Sequence, residues 1–173
     1  MENEVGFQIL AALTLATVGD QVKALRLAAM LKRRFPEDTI VQFNYLPVIY
    51  AQVALNDRDP SHAIELLRAA SPYELGLAGI NSYSTNLYPV YIRGQALLAL
   101  HQGGAAAAEF QKILRWRGVV LNEPIGALAH LGIARAYALQ GETAKAKAAY
   151  QEFLTIWKDA DTDIPIFKRA QSD

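Results

Sequence analysis

Along Ile125–Leu154, IGALAHLGIARAYALQGETAKAKAAYQEFL, apolar side chains return every three or four residues on both sides of a single break at Gly141. Ile133 and Ala134 stand four and three residues before Tyr137, so on a helix they share a face that needs burial against another element. A helix often closes on glycine because the residue past its last turn takes a positive φ, which glycine adopts without strain. The second period begins at once. Ala146, five residues after the glycine, lets two helices approach with nothing larger than a methyl between them, and Tyr150 and Phe153 fill the wider space beyond. The stretch predicts two antiparallel helices joined by one turn.

Three other segments repeat this plan. The first pairs a helix from near Asn3 to Val18 with another from about Asp20 to Arg34. Phe7, Ala11, Leu15 and Val18, with Leu10 beside them, form its apolar stripe, and Gly19 is its turn residue. Asp20 caps the second helix, Ala24 takes the close-approach position, and Pro36 closes the unit. The second pair spans roughly Asp38–Asn56 and Pro60–Ala70, with Asp38 as N-cap, Pro60 in the first helical turn and Ala63 at close approach. Arg58 stands where a glycine is expected, so the turn NDRDP would draw a left-handed residue from Asn56 or Asp57. Pro47 deletes a hydrogen bond inside its helix and collides with the previous turn, which predicts a kink or a restart near Asn44.

A loop over Ser71–Ser82 follows, packed on the body by Tyr73 and Leu75. The third pair runs from about Thr85 to His101 and from Gly104 to Arg117. Gly94 matches Ala134 in it, Ala106 matches Ala146, Phe110 matches Tyr150, and Pro89 echoes Pro47. His101 replaces the turn glycine, with Gly103 and Gly104 lending flexibility after it. Pro124 opens the fourth pair, and a short helix from Ile164 covers its last helix.

The matched alanines set the period: Ala24 to Ala63 is 39 residues, Ala63 to Ala106 is 43, and Ala106 to Ala146 is 40. This alternation of small and aromatic residues resembles the tetratricopeptide repeat, whose standard unit is ~34 residues, so helices or connectors are longer here. HEAT and armadillo repeats, at about 40 to 47 residues, are the structural alternative, and the small-residue spacing favours the tetratricopeptide type. The resemblance implies an all-α, right-handed α-solenoid of about four helix hairpins, near 4–36, 38–72, 84–118 and 123–158, with a short C-terminal cap over 163–171.

Composition narrows the function. The 17 basic and 17 acidic residues cancel, so no net field favours nucleic acid or an acidic membrane face. Lys32-Arg33-Arg34 and Arg115-Trp116-Arg117 fall at predicted helix C-termini, where cations complement the helix dipole. With no cysteine there is no disulfide, thiol nucleophile or thiolate metal site. The acidic start of MENEVGFQILAALTLATVG is unlike a secretory signal, and no apolar run approaches the ~20 residues of a membrane span. The compartment stays open, with the cytoplasm favoured.

The chain offers little chemistry. Asp159, Asp161 and Asp163 alternate like a calcium loop, but Ile164 and Ala170 occupy the positions where that loop needs glycine and glutamate. His62 and Glu65 are one turn apart without further ligands, and His101 and His130 belong to no acid–base motif. Gly103-Gly104 is followed by alanines rather than by the lysine of a phosphate loop, and the kinase signatures are missing. No cofactor, metal or catalytic residue is expected.

In tetratricopeptide arrays the inner wall is lined mainly by the first helix of each pair. The resemblance therefore places partner binding on Ile9, Leu13 and Thr17, on Tyr45, Gln52 and Asn56, on Tyr88, Tyr91 and Gln95, and on Leu131 and Arg135. Such a surface suits an extended peptide, whose backbone pairs with amides while side chains lie on tyrosine rings. Arg135 is its one basic residue, which disfavours an acidic chaperone tail.

AAAAEFQKIL from Ala105, NEPIGALAHLGIARAYALQGETAKAKAAYQEFLTIWKDAD from Asn122 and DIPI from Asp163 resemble the C-terminal repeat region of bacterial eukaryotic-like serine/threonine protein kinases. VQFNYLPVIYAQVAL and SPYELG are similar to the same region, and similar tails occur on bacterial transcriptional regulators. The resemblance implies a non-catalytic scaffold for a partner protein or peptide, behind a kinase domain. The alternatives are a module that self-associates through its end surfaces, as a homo-oligomer, and a sensory domain holding a small molecule between Tyr88, Tyr91 and Arg135.

Overall fold

Four helix hairpins follow one another in a chain that, among its described residues, contains helices and no strands. The computed structural model describes residues 2–76, 85–161 and 163–172. The first hairpin is α1 (Glu2–Thr17) and α2 (Gln21–Arg34); the second is α3 (Leu46–Asn56) and α4 (Pro60–Leu66). α5 (Tyr88–Ala99) and α6 (Gly103–Arg115) form the third. After a single turn, α7 (Arg117–Val120), come α8 (Pro124–Leu139) and α9 (Thr143–Ile156), and then α10 (Pro165–Ser172). The hairpins pack in chain order, α3 on α1 and α2, α5 on α3 and α4, and α8 on α5 and α6.

One backbone device makes all four turns. Gly19, Arg58, His101 and Gly141 have φ of 89°, 62°, 58° and 74°. In each, the amide of the following residue reaches back five residues, as in Asp20 N–H to Leu15 O and Glu142 N–H to Tyr137 O. The turn residue's own amide reaches back three, as in Arg58 N–H to Leu55 O and His101 N–H to Leu98 O. This pair of bonds is the Schellman motif, which satisfies the orphan carbonyls at a helix end. Arg58 itself therefore supplies the left-handed residue, not Asn56 or Asp57. Asp20 and Asp59 then cap the next helices, each accepting from the amide three residues on. Ala24, Ala63, Ala106 and Ala146, five residues past each turn residue, are all buried.

Several local expectations are corrected. Gly103 is no flexible link: it is the buried first residue of α6, and a Cβ there would lie 2.6 Å from the carbonyl oxygen of Ala136. α5 begins at Tyr88 rather than Thr85, so Pro89 sits in a first turn, where its missing N–H is not needed. Before Pro47 a π-helical turn, Val41–Tyr45, widens the helix, and α3 starts at Leu46. That turn aims the Asn44 amide into the core, where it donates to the Asn86 carbonyl at 3.1 Å. α4 is shorter than expected and continues as a 3₁₀ turn, Leu67–Tyr73. Tyr73 does hold that segment, stacked on Phe43 at 5.7 Å, whereas Leu75 is exposed. The expected loop beyond Gly76, up to Ser82, lies outside the described residues, as does the start of the expected third unit at 84.

The first hairpin is turned around relative to its predicted stripe. Ile9, Ala12, Leu13 and Ala16 enter the core, while Phe7, Leu10, Ala11 and Val18 face water. α1 is apolar nearly all round, so periodicity alone does not choose its inner face. At the other end α10 closes the chain, with Ala170 in a cluster with Leu131 and Phe153.

Candidate functional site

Counting from the four turn residues, the position six before each is occupied by Leu13, Gln52, Gln95 and Arg135. These stand at one level of α1, α3, α5 and α8, because every hairpin repeats the same register. Gln52, Gln95 and Arg135 are half-buried and present two amides and a guanidinium on consecutive first helices. Leu13 is buried, as are Ile9, Tyr45 and Leu131, so these four belong to the core and not to a contact surface.

Neighbouring side chains bridge the hairpins around this row. The Asn56 amide donates to the Ala16 carbonyl of α1 at 2.7 Å and its oxygen accepts from Gln52 at 3.0 Å. Thr17 turns back on its own helix and donates to the Leu13 carbonyl. The Tyr88 hydroxyl donates to Glu123 at 3.0 Å, joining α5 to the start of the fourth hairpin. Burial, with the Glu123 carboxylate beside it, raises the Tyr88 phenol far above its ordinary range. Burial also pushes Tyr91 up to about 12, against the opposing pull of Arg135 and of its hydrogen bond to Gln95. Both phenols stay neutral near pH 7 and act as hydrogen-bonding groups on apolar rings. Tyr88, Tyr91, Gln95 and Arg135 thus gather where α5 meets α8, and Gln52 and Asn56 where α3 meets α1.

Beside Arg135 opens a cleft of about 480 Å³, lined by Leu98, Ala138, Leu139 and Tyr150 as well as Arg135 itself. Its walls are mainly apolar, and Arg135 is its charged group. These residues continue the candidate surface beyond those named from sequence, where no local pattern singles out Leu98 or Leu139. A second cleft, of about 340 Å³, is bordered by Arg117, Asn122, Glu123 and His130. His130 Nδ1 lies 3.0 Å from Glu152 Oε2, a pair 22 residues apart that no local motif announces. Among the described residues no three of His, Asp and Glu gather as metal ligands, and no helix is long and apolar enough to cross a membrane.

What the fold defines is a class: an all-α chain of paired helices, packed in order, whose first helices carry a row of amides and one guanidinium. No family model, curated protein or solved structure matches the chain.

Proposed function

We infer that this chain is a non-catalytic protein-interaction module, a right-handed solenoid of four tetratricopeptide-like hairpins that holds a partner protein or an extended peptide along its first helices. The observation that carries this reading is the row Gln52, Gln95 and Arg135, repeated at one register and flanked by Tyr88 and Tyr91. A primary amide both donates and accepts, so successive glutamines match the alternating N–H and C=O of an extended backbone. Arg135 suits a carboxylate or backbone carbonyl of the partner, and the apolar cleft beside it suits a neighbouring side chain. The resemblance to kinase tails adds a setting, a recruiting tail of a signalling protein such as a serine/threonine kinase.

Capture of partners by the immobilised chain tests the reading, with Gln95→Ala/Arg135→Ala as the variant. Tyr91 is left in place because its ring packs edge-on against Phe110 at 5.9 Å and supports the core. The double variant is expected to keep its helical signal and melting cooperativity and to lose partner affinity by about ten- to a hundred-fold, as hot-spot truncation does. Undiminished capture of every specific partner by a folded double variant refutes the assignment of the surface.

A further inference from the structure

The smaller cleft, of about 340 Å³, lies apart from the partner row, since none of Gln52, Gln95 and Arg135 borders it. It opens where α6, α7 and the turn that follows meet α8 and the end of α9. Ile113 and Val120 form a buried part of its wall, and Leu121 and Ile156 border it while 75% and 52% exposed. Packing explains neither of two further features. Leu121 has φ 53° and ψ −127°, the first central position of a type II′ turn that the Glu123 N–H closes on the Val120 carbonyl at 3.2 Å. Glycine usually fills that position, so a leucine there is strained, and its exposed side chain recovers little by burial. Strain of this kind gathers at ligand clamps. The second feature is electrostatic. Arg117 and Glu123 are opposite charges on one cleft that form no ion pair with each other, and among the described residues the Arg117 guanidinium has no hydrogen-bond partner. The Glu123 carboxylate is held instead by the Tyr88 hydroxyl, at 3.0 Å, through one of its two oxygens.

We propose that this cleft binds a free amino acid with an aliphatic side chain, held as a zwitterion: Arg117 pairs with its carboxylate, Glu123 and His130 accept from its ammonium, and Ile113, Val120 and Ile156 surround its side chain. The guanidinium fork matches a carboxylate. An ammonium is a donor only and needs acceptors. Glu123 supplies one, and His130 another, because in the neutral ring Glu152 accepts from Nδ1–H at 3.0 Å and leaves Nε2 as an acceptor. The Asn122 amide serves either end. One cation and one carboxylate on the same cleft balance, which suits a molecule of zero net charge over a plain anion or cation. The apolar side chains that line it carry no aromatic ring, which selects an aliphatic ligand. A volume of about 340 Å³ stands at the lower end of small-molecule pockets, the size of one amino acid rather than of a peptide.

Titration of the isotope-labelled full chain with L-leucine, followed through its amide chemical shifts, tests this. Saturable shifts are expected at Val120, Gly126, Ala127 and His130, with Kd on the order of 0.1 to 1 mM for so small a ligand. Leucinamide, which lacks the carboxylate, and N-acetyl-leucine, which lacks the ammonium, are each expected to bind at least about ten-fold more weakly, because each leaves a charged group of the cleft unpaired. Glycine, without the side chain, is expected to give no saturable shift. Arg117→Gln, at an exposed site, keeps the helical signal, weakens leucine at least about ten-fold and leaves leucinamide binding unchanged. Absence of saturable shifts with leucine, isoleucine and valine at concentrations well above that Kd overturns the proposal. So does equal binding of leucine and its two blocked derivatives, or a folded Arg117→Gln chain that binds leucine as tightly as before.

Discussion

Replacing Phe110 with alanine is expected to lower the folding free energy by about 3 to 5 kcal/mol. The ring is fully buried and lies between two helices of different hairpins. A Cβ at Gly94 of α5 would come within 2.7 Å of it, and one at Gly132 of α8 within 2.6 Å. Both backbones therefore approach the ring with no side chain between. Such walls cannot collapse into the space the ring leaves, because glycine has nothing to swing inward, and an uncollapsed cavity is the costly kind. Urea unfolding would show the loss as a lower midpoint with an unchanged slope. A loss below about 1 kcal/mol would mean that the ring does not join the third hairpin to the fourth.

Arg93→Met should be nearly as damaging, at about 3 kcal/mol or more, for a different reason. The guanidinium lies 2.6 Å from Glu74 Oε1 and 2.7 Å from Glu109 Oε2, with all three side chains largely buried. Removing the cation strands the Glu74 carboxylate in a poorly hydrated site and leaves Glu109 only the half-exposed Lys112, 2.6 Å from its other oxygen, which destabilises more than the intact network stabilises. The triple variant Arg93→Met/Glu74→Leu/Glu109→Leu is therefore expected to recover most of the loss. Chemical denaturation of the single and triple variants separates the two contributions. If the triple variant is as unstable as the single one, the ion pairs themselves hold Glu74, and with it the 3₁₀ turn Leu67–Tyr73, against α5 and α6.

The turns show which parts of this fold a sequence can express. Alanine five residues past each turn is legible because close approach tolerates only a small side chain. The turn residue itself is less so, since a Schellman motif is made of backbone bonds, and Arg58 and His101 adopt the left-handed conformation where the surrounding helices impose it. Gln52, Gln95 and Arg135 were legible as one row because the hairpins share their register. Tyr45 was not: the π-helical turn at Val41–Tyr45 rotates the residues before Leu46 out of the register that α3 sets. Leu13 was misplaced because Ile9, Leu10, Ala11, Ala12, Leu13 and Leu15 surround α1 with apolar positions, so only the packed neighbours determine which ones are buried. The Arg93–Glu74 and His130–Glu152 pairs join residues 19 and 22 apart, and nothing in a local pattern marks them.

Amide chemical-shift mapping on the isotope-labelled chain, titrated with a peptide selected against it from a random library, bears most directly on the central claim that the first helices carry the partner surface. The expected perturbations follow α3, α5 and α8, centred on Gln52, Gln95 and Arg135 and reaching Leu98 and Leu139 at the cleft. Perturbations confined to α4, α6 and α9, with that row unmoved at saturating peptide, would contradict it.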